Sequence, residues 1–389
     1  MAQADNNDNG ASPPERLAFY KIEYLDGTSS TTQKAQERII GGAGTYAALG
    51  ARLAAGSLHA SSVGWIVDMG SDFPAEFRAA IETWHTSCVF RFDGSRLTTT
   101  AWNGYGSNES RAFKYLTPKR RLDQHSLSDE QVLARAFHMV CSPARCMALV
   151  QGILARRRKF PSESDSDSHR DRPIFVWEPI PDLCTPEELS RLREAAACVD
   201  VVSPNADEFA SFFKEMPDFS SRERMVEALL GLDNRQQGRG QQLNPLKTAL
   251  VVREGAHGCT TYVGSTKGLH LSAYHQSKAK VVDPTGGGNT FLGALAMAMT
   301  GTTTPPPEDA SLKELEVPEV SVFGGQNRLL FALLHATVAA GYAIEQVGMP
   351  TVSTKDGDCW NGEAYPERFR NYVKRERDHI AVQLSSSCS

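Results

Sequence analysis

What the chain lacks narrows it first. Its eight cysteines include no C-x-x-C pair, Cys141 and Cys146 being the closest two. Neither a disulfide framework nor a zinc site is expected, and the thiols read as reduced ones of a cytoplasmic protein. No apolar run has the length of a membrane span. Met1–Pro14 is polar and has no apolar core segment, so it reads as a disordered tail and not as a leader or anchor. The net charge is only -5, which gives no electrostatic reason to expect nucleic acid or an anionic membrane as partner. No internal repeat is visible. With 389 residues, 41% of them hydrophobic, there is material for one large α/β domain or two smaller ones.

Glycine, by contrast, is concentrated in one place. Asp283-Pro284-Thr285-Gly286-Gly287-Gly288-Asn289-Thr290-Phe291 joins a β-type run, Lys280–Val282, to the run Phe291–Met299, which is apolar on nearly every side and so predicts a buried helix. Asn289 stands where an N-cap is expected. A glycine loop entering a helix aims free N–H groups and the positive end of the dipole at one point, which makes Gly286, Gly287 and Gly288 a candidate anion hole. No Lys follows the glycines, so this is not the Walker pattern. The plainer alternative is a tight strand-to-helix turn, for which one or two glycines would suffice.

Elsewhere the pattern is that of alternating elements. Leu17–Leu25 reads as a strand. Gly42-x-Gly44-x-x-Ala47 imitates a dinucleotide fingerprint with Asp68 as its acidic partner, or serves helix–sheet packing. Val89–Tyr105 predicts a β-hairpin around Asp93-Gly94, carrying Phe90, Phe92, Trp102 and Tyr105. Leu127–Phe137 predicts a helix, Pro173–Pro179 a short buried strand, and Glu187–Ala197 a helix begun by Thr185-Pro186. Ala249–Arg253 and Cys259–Val263 predict strands joined by Glu254–Gly258, where His257 reads as a solvated turn residue. The basic run Arg156–Lys159, beside an acidic, Ser-rich stretch, reads as a solvated loop and not a nucleic-acid patch. Strands alternating with helices from about residue 135 to 345 predict an α/β fold, its sheet mainly parallel with helices on both faces.

The stretch 283–291 resembles the second signature of the ribokinase-like PfkB carbohydrate kinases, D-T-x-G-A-G-D-x-F. Asp283, Gly286, Gly288 and Phe291 match, while Pro284, Gly287 and Asn289 replace Thr, Ala and the second Asp. Further similarities follow in family order: Gly41-Gly42 before an Ala-rich helix, Ser62 to Phe73 for V-G-x-D-x-x-G, Glu178-Pro179 for D-P, Asn205-x-x-Glu208 for N-x-x-E, and Gly255-x-x-Gly258. They cover most of residues 39–350. The wording G-G-A-G-T-Y-A-A-L-G-A and D-P-T-G-G-G-N-T-F is most similar to the fungal maintenance-of-killer proteins. The resemblance implies a ribokinase-like fold with a small β lid, strands of the lid falling at about 17–38 and 88–117. It implies one domain over 17–375 between tails at 1–16 and 376–389, with loop insertions at about 156–172, 231–246 and 301–318.

The same resemblance implies ATP-dependent phosphoryl transfer to a sugar or nucleoside hydroxyl. Gly41 and Gly42 would meet the substrate. Asn205, Glu208, Gly255 and Gly258 would meet the nucleotide, with Glu208 acting on Mg²⁺ through water. Asp283 and Thr285 would border a monovalent cation, K⁺, and a homodimer through the lid is a further expectation. Two departures bear on activity. Position 289 holds the general base in the family, and here it is an amide, which accepts no proton at neutral pH. The family's first strand also brings a Gly and an Asp to the sugar, whereas Ala18–Tyr24 has neither, Glu23 and Asp26 being the nearest carboxylates. Loss of a general base costs about 10²- to 10⁴-fold in rate. The alternative is therefore a pseudokinase, a nucleotide- or phosphate-binding regulatory protein of kinase fold.

Overall fold

The computed structural model describes residues 19–24, 36–105, 111–118, 120–160, 172–232, 245–313, 315, 327–353, 355 and 358–385. The chain runs through strands β1 (Phe19–Tyr24) and β2 (Gln36–Ile40) into helix α1 (Ala43–Ala55), then β3 (Gly64–Met69), α2 (Ala75–Glu82), β4 (Ser87–Phe92), β5 (Thr100–Tyr105) and β6 (Arg111–Tyr115). Next come α3 (Asp129–Val132), β7 (Ala136–Val140), α4 (Pro143–Arg157), β8 (Ile174–Glu178), α5 (Leu189–Ala196), β9 (Val201–Val202), α6 (Ala206–Ser211) and α7 (Arg222–Leu230). The last part holds β10 (Ala249–Arg253), β11 (Cys259–Tyr262), β12 (Leu269–Leu271), α8 (Gly287–Met299), α9 (Ala310–Lys313), α10 (Asn327–Ala343), the short pair β13 (Cys359–Trp360) and β14 (Glu363–Ala364), and α11 (Tyr365–Ser385).

Alternation along the strands sets the layers. Val176, Val201 and Val251 enter one core with α1, α8, α10 and α11, while Phe175, Trp177, Val202, Leu250 and Val252 enter the other with α4, α5, α6 and α7. Side chains two apart share a face, so this sheet is buried on both sides, as a mainly parallel sheet must be. Its order is β12-β11-β10-β9-β8-β7, parallel from β7 to β10 and antiparallel at β11 and β12. A second sheet, β2-β1-β5-β6, forms the small β layer. This is the ribokinase-like α/β arrangement.

Several expectations need correction. Val89–Tyr105 is not a hairpin: β4 pairs parallel with β3, and β5 pairs with β1 and β6. The link between them is tied to the 70–72 loop instead, with Gly70 N–H donating to Thr98 Oγ1, Ser71 N–H to Arg96 O and Thr98 N–H to Asp72 Oδ1. Leu127–Phe137 is helical only over α3. From Ala136 the chain alternates, with Met139 buried toward one core and His138 on the opposite side of β7, so it is a strand. Lys280–Val282 is not a strand either. Val282 is 61% exposed, and Val282 and Asp283 both donate their N–H to Ile344 O.

Residues 376–385 are not a tail. They complete α11, with Glu376, Ile380 and Leu384 buried at helical spacing. The loop expected at 301–318 contains α9, and Asp309 pairs with Arg370 of α11. The expectations for 1–16, for Asp26 and for most of the two other insertions lie outside the described residues. The basic run has a structural use: Arg156 donates to Leu127 O and Asp129, and Arg157 to Val132 O and Ala134 O, which satisfies carbonyls around α3. Asp68 is held bidentately by Arg91 at 2.6 and 2.7 Å, so its carboxylate is committed and the dinucleotide reading loses its acidic partner.

Candidate functional site

Helix α8 starts three residues earlier than an Asn289 cap requires. Gly286 is the N-cap, at φ 82°, and Asn289 is the third residue of the first turn. The left-handed backbone at 286 calls for glycine, and the surroundings repeat the demand: a Cβ there would overlap the ring of Tyr46. Tyr46 is only 1% exposed and cannot swing away. Its N–H donates to Gly42 O, one turn back at the start of α1. Gly41 and Gly42, both buried, are thereby brought to the same corner as Gly286.

The corner has donors to spare. Gly287 N–H reaches Pro284 O, and Thr290 N–H reaches Gly286 O. Among the described residues the N–H groups of Gly288 and Asn289 have no acceptor. Two free amides at the positive end of a 13-residue helix are the donors that an anion site would need. Asn289 Oδ1 is buried without a hydrogen-bond partner. Asp283 is buried and accepts the Thr285 N–H at 2.9 Å, and no group of three or more His, Cys, Asp or Glu among the described residues is arranged to hold a metal.

Asn205 and Glu208, the residues expected to meet a nucleotide, are linked to this corner through one side chain that has no motif of its own, Arg253. Arg253, the last residue of β10, donates Nη2 to Glu178 Oε1 at 2.5 Å and to Ser203 O at 3.0 Å. Glu208 Oε2 lies 3.6 Å from the same nitrogen. On its other side the guanidinium touches α8, for a Cβ on Gly288 would overlap Nη1. Asn205 bridges to Arg253 through the backbone and closes a capping box with Glu208, Asn205 N–H to Glu208 Oε2 at 2.7 Å and Glu208 N–H to Asn205 Oδ1 at 2.8 Å. Burial, with the charge of Glu178 adding to it and that of Arg253 opposing, pushes Glu208 up to about 7.

The geometry does not suit a magnesium ion held by the protein. Mg²⁺ prefers carboxylates that keep their lone pairs for it and its waters, and here Glu178 and Glu208 share one guanidinium while Glu208 also serves as a cap. His138, on β7, is a second residue missed by the sequence reading. Its Nε2 is buried without a partner, and burial plus the Arg253 charge hold it down at about 3, so it is neutral. Gly255, at φ 57°, has open space where a Cβ would sit, whereas one on Gly258 would overlap Leu271 O. Of the glycine pair at this turn, only Gly255 offers room to a ligand. A charged residue closing four apolar ones in Ala249–Arg253 was the available signal for Arg253.

Comparison with known proteins identifies the family and the fold. The profile of the pfkB family carbohydrate kinases matches residues 178–304, the stretch holding Glu178, Asn205, Glu208, Arg253 and the glycine corner. Protein MAK32 of Saccharomyces cerevisiae is 32% identical over 355 residues, 87% of this chain and 86% of that one. Among solved structures, the ribokinase of Giardia lamblia superposes with a TM-score of 0.62 at 14% identity, covering 93% of this chain and 98% of that one. The ribokinase of Cryptococcus neoformans in complex with ADP does so with a TM-score of 0.56 at 16% identity, covering 94% and 100%. These last two are likenesses of fold.

Proposed function

The chain belongs to the pfkB carbohydrate kinase family, in its fungal MAK32 branch, and from that premise we propose that the glycine corner binds the phosphates of ATP while phosphoryl transfer to a sugar or nucleoside hydroxyl is crippled at Asn289. The observation that carries the reading is the coexistence of two free amides, at Gly288 and Asn289, with an amide side chain at the position that needs a proton acceptor. Phosphoryl transfer passes through a loose transition state, so positioning and charge stabilisation supply most of its rate. The free N–H groups and Arg253 provide for that. The nucleotide, when bound, supplies the transferable phosphoryl group. Asn289 orients its Oδ1 toward a buried position but cannot carry the hydroxyl proton away. That the Cryptococcus relative of the same fold was solved with ADP is in keeping with a nucleotide here.

The test is ADP release from ATP, with magnesium present, across a panel of sugars and nucleosides, run on the wild type and on Asn289→Asp. Acceptor-dependent turnover by the variant should exceed that of the wild type by about 10²- to 10⁴-fold. Equal turnover by the two would overturn the proposal and assign the proton to another group. Silence of both would mean that the acceptor side is lost as well, leaving nucleotide binding as the whole function.

A further inference from the structure

Arg253 brings a guanidinium to the mouth of the glycine corner. A positive charge beside a helix N-terminus is repelled by the dipole, yet the guanidinium rests against Gly288 in the first turn of α8. Two carboxylates, Glu178 and Glu208, hold it from behind. The fork is used unevenly: Nη2 is anchored twice, while Nη1, on the Gly288 side, has no acceptor among the described residues. Arg253 Nε and Glu178 Oε2 are both buried without a partner, and Glu178 is only 8% exposed. The cluster therefore retains unmet polar capacity beside the two free amides. Arginine stays charged at any working pH and binds phosphate oxygens through parallel N–H groups.

Resting on the reading of the glycine corner as a phosphate site, we infer that Arg253 is the resident cation of that site. It contacts a bound phosphate through Nη1 and occupies the carboxylates that would otherwise attract Mg²⁺, so that ATP binds without magnesium. A hydrated Mg²⁺ next to Glu208 would have to share that carboxylate with a guanidinium 3.6 Å away, and two cations competing for it repel each other.

The experiment is isothermal titration with ATP, and separately with inorganic phosphate, in EDTA and in excess Mg²⁺. The wild type should bind ATP in EDTA within about threefold of its affinity in Mg²⁺, a difference below 1 kcal/mol. Arg253→Ala should lose about 10- to 150-fold in EDTA, the loss expected for a hydrogen bond to a charged group, and recover part of it in Mg²⁺, because Glu178 and Glu208 are then free to attract the metal. A wild type whose affinity falls more than tenfold in EDTA overturns the inference but leaves the phosphate site standing. No binding of ATP or phosphate in either buffer overturns both. Should Arg253→Ala fail to fold, the wild-type comparison still decides, and Arg253→Lys, which keeps charge without the fork, should fall between the two.

Discussion

Gly288→Val is expected to weaken ATP binding about 10- to 150-fold and to leave folding stability within about 1 kcal/mol of wild type, whereas Gly293→Val, five residues along the same helix, should do the reverse. The contrast follows from what each new side chain meets. At 288 it meets Nη1 of Arg253, the unanchored end of the guanidinium, which can turn aside while Nη2 keeps Glu178 and Ser203 O, so the fold tolerates the change while the charge proposed to meet phosphate is displaced. At 293 it meets the backbone of Ala47 in α1, and the reciprocal contact is Gly50 of α1 against Thr290 O. Two helices approaching this closely have no side chain to yield, and overpacking there costs about 1–3 kcal/mol or more. Calorimetric titration with ATP and urea unfolding, run on both variants, measure the two effects separately. Loss of stability at 288 with binding intact would make that glycine a packing residue and remove Arg253 from the site.

The division between what the residues announce and what only the fold reveals has a physical cause. Val176, Val201, Val251 and their alternating neighbours carry a local signal of period two, and the doubly covered sheet follows from it. The glycine corner is also local, and it does enter a buried helix, as the run of apolar residues after it predicts. Its cap is Gly286 and not the expected Asn289: Asn is a good N-cap by side chain, whereas Gly286 caps through a left-handed backbone that Tyr46, some 240 positions earlier, leaves no room to vary. Partner choice between strands is not local at all. Nothing in Val89–Tyr105 tells β4 to pair with β3 and β5 with β1. Arg253 escaped notice for the same reason: its meaning comes from Glu178, 75 residues away, and from Gly288, neither of which its own neighbourhood contains. In α11 the many charges hid a buried stripe of Tyr365, Phe369, Tyr372, Val373, Ile380 and Leu384.

The stripe of α11 carries the other large effect. Arg368, with only 4% of its side chain exposed, lies 3.6 Å from the Tyr342 ring centre and 5.0 Å from that of Tyr274. It donates Nη1 to Glu345 Oε1 at 2.5 Å, and Glu345 accepts further from Asn361 at 2.9 Å and shares a 2.8 Å contact with His275 Nε2. Glu345→Ala leaves that buried guanidinium with only the exposed Glu363, at 2.7 Å from Nη2, as counter-charge, a break that costs up to about 3–5 kcal/mol. Replacing both partners, as in Glu345→Leu with Arg368→Met, should cost less than the single change, because no buried charge is then stranded.

The pH dependence gives an independent check of the same pair. Burial would raise the Glu345 carboxyl, but hydrogen bonds from His275, Arg368 and Asn361 outweigh it and hold it at about 2, below its ordinary 4.5. A depressed carboxyl stabilises the fold fully above its unfolded value and loses that contribution as pH falls toward the folded one. The stability gap between wild type and Glu345→Ala should therefore be constant above pH 4.5 and narrow progressively as pH falls toward 2, while the contribution of Asp309, also held at about 2, is common to both proteins and cancels. Because Ile344, next in the chain, presents the carbonyl that holds Val282 and Asp283 N–H, the variant should also bind ATP less tightly at neutral pH. Urea midpoints for wild type and variant at several pH values measure the gap directly. A gap that stays constant down to pH 2 would show that Glu345 contributes packing and not charge, and the loosened glycine corner would then need another explanation.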